Sequence, residues 1–259
     1  MKRTLTLFLF FTLCLSTALA AEWPEGLGPG KPYSAVKEVN PEEELGYMMF
    51  YPSQDDPAAK LCRTLFIYLP REDVAPGDGT LQLCTRKDGA VLSIPMRDEA
   101  LVLKRPLTET ELTALRWGGG TCFEIQLPTS LQFGKDYYVK LAEGCIVTQG
   151  GLQSPAISKK NAWSFMLSGD YGIGGLAYRR PQVSEPVVTP QAGDEISFEL
   201  LLGGNAASAA LYSRDASVDF PVTSYQASGH VTGTVIGDSP TWGVLFFDEA
   251  GNPLDQLEF

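Results

Sequence analysis

Apolar and polar residues alternate with a period of two through most of this chain, in short runs cut by Gly, Pro, Asn and Asp. That is the pattern of half-buried β-strands, because successive strand side chains point to opposite faces. Residues 64–69 put Leu65, Ile67 and Leu69 on one face, and 196–202 put Ile196, Phe198, Leu200 and Leu202 on one face. Further strands are expected at 47–51, 81–84, 91–94, 101–103, 122–127, 137–141, 146–148 and 163–166. A second series is expected at 207–212, 220–225, 230–236, 242–247 and 254–259. Asp88-Gly89 reads as a hairpin turn. One segment breaks the alternation. Thr108 and Glu111 form a capping-box pair, and good helix formers follow, so a single short helix is expected within 106–117, ending at Gly118-Gly119-Gly120.

These changes of pattern divide the chain. Residues 21–39 carry no periodicity and read as an extended N-terminal arm. The first strand series occupies 40–168 and the second 190–259, with a Gly- and Pro-spaced linker at 169–189. The fold expected is all-β: two tandem Greek-key sandwiches, the second smaller, with the short helix inserted in the first.

Residues 1–20 change the setting. Lys2 and Arg3, the apolar run from Leu5 to Leu15 and Ala18-Leu19-Ala20 read as a secretory signal peptide, the run being too short for a membrane anchor. No later segment is apolar enough to span a bilayer. The expected location is secreted, extracellular or cell-surface associated. With 20 Lys and Arg against 31 Asp and Glu, the formal net charge is −11. That argues against nucleic acid or an anionic membrane as partner, because both need clustered cations.

The segment 131–165 carries the most specific signal. Leu131, Gly134 and Tyr137 make a Leu-x-x-Gly-x-x-Tyr corner leading into the strand of Val139 and Leu141. There Gly permits the bend, and the Tyr hydroxyl can bond back to the backbone just upstream. With Gly144, Gly150 and Trp163-Ser164-Phe165, and with 65–83 as an earlier half, residues of about 40–168 resemble a bacterial Ig-like domain of the S-layer-protein (SbsA-like) type. The resemblance implies an Ig-like β-sandwich acting as a spacer, adhesive or accessory module, with no shared catalytic residues. The segment 242–252 looks loosely like a second Ig-like unit.

Beyond Cys14, four cysteines remain: Cys62, Cys84, Cys122 and Cys145. An even number in an exported chain favours disulfides, and four cysteines allow three pairings. Placed on the strands of an Ig-like sandwich, Cys62 and Cys122 would open neighbouring strands of one sheet, while Cys84 and Cys145 would share the other. The expected pairs are therefore Cys62–Cys122 and Cys84–Cys145.

Candidate chemistry is sparse. His230 is the single histidine, so a serine triad would have to use it, with Ser228 nearby. Asp55-Asp56, Glu109/Glu111 and Asp215/Asp219 could pair as carboxylates for glycoside hydrolysis. Asp248, Glu249 and Asn252 could offer oxygens to Ca²⁺, although a turn explains them as well. Trp117, Tyr138 and Tyr171 could form a surface for stacking sugars. Residue chemistry thus points to a non-catalytic structural or interaction (adhesion or accessory) module that needs no metal or other cofactor. Its partner would be an extracellular protein or glycan. A carbohydrate-binding accessory protein is the first alternative and a secreted glycoside or ester hydrolase the second.

Overall fold

The computed structural model describes residues 30–31, 33, 45–53, 62–167, 169–183, 187–214, 223–235 and 241–259. The expected signal peptide lies outside these residues, as do Asp55-Asp56 and Asp215/Asp219. Of the arm at 21–39, Gly30, Lys31 and Tyr33 are described, and Tyr33 exchanges two backbone hydrogen bonds with Met48.

Chain order runs β1 (Met49–Tyr51), β2 (Thr64–Leu69), β3 (Val74–Pro76), β4 (Thr80–Thr85), β5 (Gly89–Pro95), β6 (Val102–Pro106), α1 (Glu109–Leu115), β7 (Thr121–Gln126), β8 (Asp136–Leu141), β9 (Ile146–Thr148) and β10 (Ser164–Met166). It continues with β11 (Gly172–Arg179), β12 (Glu195–Leu201), β13 (Ser208–Arg214), β14 (Thr223–Tyr225), β15 (Gly229–Thr234), β16 (Thr241–Phe247) and β17 (Pro253–Glu258). The strands pair as β1-β2-β7-β6, β10-β8-β4-β5, β11-β12-β15 and β14-β13-β16-β17, with a two-stranded ribbon β3-β9.

The protein is all-β with one short helix, but the expectation of two tandem Ig-like Greek-key sandwiches is corrected. The sheets stand as a four-membered, propeller-like ring of small sheets. Alternation along a strand identifies its buried face and says nothing about which sheet lies opposite. The sandwich expectation came from the number of strands, the corner at Tyr137 and the resemblance, none of which fixes how the sheets are stacked. Within the ring, one apolar cluster draws on the first two sheets through Leu65, Ile67, Phe123, Leu83, Val139 and Phe165. A second draws on the other two through Ile173, Phe198, Val231, Leu211, Val244 and Phe246.

The helix forms as the sequence requires. Thr108 Oγ1 accepts from the Glu111 N–H, the Glu111 carboxylate accepts from the Thr108 N–H, and Arg116 turns left-handed (φ 58°) to close the helix. The tyrosine corner also forms, with Tyr137 Oη accepting from the Gln132 N–H at 3.2 Å.

One expectation fails for an informative reason. Residues 172–179, read as linker, are the strand β11, paired with β12. Its glycines mark a close approach rather than a flexible tether. A Cβ on Gly174 would come within 3.3 Å of both Gln132 Cα and Leu131 O. At the same place Ser130 donates its N–H to Leu176 O (2.8 Å), and its Oγ accepts from the Leu176 N–H (2.7 Å). Gly175 adds an N–H to Leu131 O at 3.1 Å, and its φ of +65° accommodates an irregularity in the register between Gly174 and Ala177.

Candidate functional site

The corner loop after β7 and strand β11 meet along this seam, and a cleft of about 450 Å³ opens beside it. Its walls include Gln132 and Phe133 from the corner loop, Gly174 from β11, Glu199 and Leu200 from β12, and Ser228 just before β15. Each wall follows from local structure. Phe133 packs against the first apolar cluster, and Leu200 belongs to the second. Gly174 leaves room for the Phe133 ring, whose Cδ2 would lie 3.3 Å from an added Cβ.

His230 stands at the rim. It is the direct cross-strand partner of Glu199, and its Nδ1 lies 2.8 Å from Glu199 Oε1, with both side chains more than half exposed. Ser228 is not placed to be activated by that imidazole. Its Oγ accepts from the Leu202 N–H at 2.7 Å and donates to Leu202 O at 3.1 Å, tying the chain before β15 to the end of β12. The cleft thus offers an apolar side, one amide and one carboxylate with its imidazole neighbour. This set suits holding an amphipathic group that donates hydrogen bonds, and no nucleophile–base pair faces it.

The aromatic candidates fall in three separate places. Trp117 is half-buried against a small cluster of Tyr68, Leu107 and Cys122 on the outer face of the first sheet. Tyr138 points away from the core occupied by Tyr137, as alternation requires, but it is 4% exposed. Lys160 Nζ and Lys140 Nζ lie 5.3 and 5.8 Å from its ring centroid. Tyr171 leans on Phe246 with ring centroids 4.9 Å apart. No shared stacking surface is formed by these three residues.

The two expected disulfides are corrected. Cys84, Cys122 and Cys145 are buried free thiols, which rules out both pairs. Each proposed pair also straddles a sheet. Cys62 and Cys145 belong to the first core, whereas Cys122 lies in the cluster on the outer face and Cys84 sits opposite Tyr138 in the β4–β8 ladder. Cys62 Sγ donates to Thr64 O at 3.3 Å. Burial pushes the Cys145 thiol up to about 11, and it drives the Cys122 thiol higher still against the pull of Arg105. Neither is a poised nucleophile.

Of the carboxylates considered for hydrolysis or calcium, Glu111 and Asp248 are engaged elsewhere. Glu111 binds Arg105 through both oxygens at 2.6 Å, and Arg105 Nε also meets Glu124. Asp248 accepts from the Asn252 N–H (2.8 Å) and Nδ2 (2.9 Å), which hold its carboxyl below the usual range and make it a turn cap. Among the described residues no group of three or more His, Cys, Asp or Glu side chains could hold a metal ion. No described helix is long and apolar enough to cross a membrane.

The chain matches no protein-family model and no curated protein. Among solved structures it is similar to two chains described as a cytokine receptor complex, in crystal forms 2 and 1A. Identity is 10% to each, and the TM-scores are 0.22 and 0.20. The matches cover 75% and 76% of this chain and 94% and 90% of those chains. Likeness that shallow carries no argument about what this protein does.

Proposed function

We propose that this chain is an exported, non-catalytic interaction module that engages an extracellular protein or glycan at the cleft between the corner loop and β12. Export rests on residues 1–20. The observation that carries the binding reading is the condition of the polar groups at the cleft. Ser228 is committed to the Leu202 backbone and His230 to Glu199, while the half-buried Phe133, with the buried Leu200 behind it, gives the cleft an apolar side. Binding needs that apolar side and a few fixed polar groups, and catalysis needs a freed nucleophile.

The test uses the purified chain on a glycan array and on intact cells of the producing organism, beside a panel of glycoside and ester substrates. Binding that Phe133→Asp abolishes, with an unchanged melting temperature, supports the reading. Turnover that His230→Ala abolishes would replace binding with hydrolysis.

A further inference from the structure

The second sheet carries a cationic patch on its outer face. Tyr137 and Val139 of β8 belong to the first core, so Tyr138 and Lys140 turn to the other side of the strand. Strand register sets Tyr138 between Ser164 and Cys84, and it places Gln82 and then Ser93 beside Lys140. Ahead of β10 the chain turns back through a bond from the Ala162 N–H to Lys159 O at 3.0 Å. That turn brings Lys160 to the same phenol. The Lys160 and Lys140 ammonium groups lie 5.3 and 5.8 Å from the Tyr138 ring centroid.

Two like charges on one ring repel each other, and the ring attracts each of them without neutralising either. Among the described residues, none of Lys140, Lys159 and Lys160 has a carboxylate partner. The acidic residue on that face of β8, Asp136, is met by Arg86 at 3.5 Å. The other described lysines, Lys31, Lys87, Lys104 and Lys135, stand on separate segments. In a chain of formal net charge −11, three uncompensated ammonium groups gathered at one place are the exception.

We propose that this face binds an acidic polysaccharide, a chain of sugars bearing carboxylate or sulfate groups. Lys140 and Lys160 meet the anionic groups, with Lys159 beside them, and Gln82 and Ser93 meet neighbouring hydroxyls. Charge complementarity sets the sign of the occupant, and the sheet sets its kind. Strands β8 and β4 are interior, with their backbone groups spent in ladders. An acidic peptide would therefore gain no main-chain pairing on this face. A glycan asks for what the face does offer, side-chain donors set at the roughly 4.8 Å spacing of neighbouring strands. An anionic membrane would set its charge against a broad acidic surface, whereas one polymer strand can touch the lysines alone. Tyr138 is 4% exposed, so it does not stack on the sugar but steadies the two lysines. This site is separate from the cleft beside Phe133 and does not depend on it.

The test is isothermal titration calorimetry of the purified chain with polygalacturonate and with dextran sulfate, at low and high salt. Neutral dextran, poly-glutamate and phosphatidylserine vesicles are titrated beside them. The expected result is binding to an acidic polysaccharide that salt weakens, with none to dextran. Lys140→Gln combined with Lys160→Gln should raise the dissociation constant at least about tenfold, with an unchanged melting temperature. Arginine at both positions keeps the charge and should keep the binding, and Lys104→Gln on the first sheet should change nothing. No binding to either acidic polysaccharide at low salt, or binding that survives the double glutamine variant, overturns the proposal. Poly-glutamate or vesicles bound more tightly than the polysaccharides would give the patch to a peptide or a membrane and overturn it as well.

Discussion

Replacing Glu111 with Gln tests how α1 is held to the outer face of the first sheet. The Glu111 side chain is 8% exposed and that of Arg105 is 24%. Four bonds converge on the carboxylate: two from Arg105 at 2.6 Å, one from the Thr108 N–H at 2.8 Å and one from Thr108 Oγ1 at 3.0 Å. Glutamine keeps the shape and one acceptor but loses the charge and the two-pronged grip. Surface pairs contribute roughly 0–1 kcal/mol, whereas stripping one partner from a buried pair costs about 3–5 kcal/mol. This pair lies between those limits, and Glu124 still contacts Arg105 after the change, so the expected loss is about 2 kcal/mol at neutral pH. Glu111→Ala also removes the reciprocal half of the capping box and should cost about 1 kcal/mol more.

The sign of the pH dependence is fixed by the direction of the shift. Burial pushes the Glu111 carboxyl upward, but the bonds from Arg105 and Thr108 outweigh it and hold the group below the usual glutamate value. A carboxyl depressed in the folded state stabilises the fold above its unfolded pKa of about 4.3, and that contribution disappears as pH falls through the lower folded value. The gap between wild type and Glu111→Gln should therefore be full at pH 7 and shrink steadily below about pH 4. Urea titrations followed by tryptophan fluorescence measure it, with Trp117 packed beside the site. A gap under about 0.5 kcal/mol at pH 7, or one of equal size at pH 3, would refute the reasoning.

Three further substitutions probe other joints. Ser130→Ala orphans the buried Leu176 N–H and should cost about 1–3 kcal/mol in a urea titration, with faster hydrogen exchange at Leu176; an unchanged exchange rate would show that the seam does not depend on this bond. Tyr137→Phe leaves the Gln132 N–H without its phenolic acceptor, so a loss of about 1 kcal/mol is expected, and a neutral result would remove the corner from the list of stabilising contacts. Arg63 reaches Val187 O at 3.2 Å and lies 4.7 Å over the Tyr178 ring, yet its Nε is buried without a partner and burial lowers its pKa. Arg63→Met should accordingly cost less than about 1 kcal/mol, and a larger loss would show that the bonds to the 187–188 carbonyls outweigh the desolvated charge.

The sequence made some features readable and hid others, for physical reasons. Strands β2 and β9 were expected with the bounds they have, because Leu65, Ile67 and Leu69 alternate cleanly and 146–148 is bracketed by turn residues. The capping box located α1 to within a few residues. Strand β11 was hidden because glycine carries no hydropathy pattern, and the partner that demands Gly174 is the backbone of Gln132, far away in sequence. The candidate cleft was hidden for the same kind of reason. Glu199 and His230 meet through strand register, and Phe133 joins them only once the seam at Ser130 and Leu176 has formed. None of those pairings leaves a periodic trace in the chain.

The cysteines teach the sharper lesson, because there half of the information was present. Leu81 and Leu83 face the first core, so the period of two turns Cys84 to the other side; Phe123 and Ile125 face it, so Cys122 is turned outward as well. Cys62 and Cys145 face in. A bridge between an inward and an outward cysteine would have to pass through a sheet, whereas a disulfide requires Cβ atoms within about 4.5 Å and pointing at one another. Parity reaches Cys84 and Cys122, which lie on strands, but not Cys62 and Cys145, which lie outside them, and it would turn Cys62 outward if extended from Leu65. The inward placement of those two, which puts each expected pair on opposite faces of a sheet, is visible only in the structure. The pairing failed because it was inferred from neighbouring strands in a borrowed topology, and neighbouring strands share a cross-link only when their cysteines also share a face.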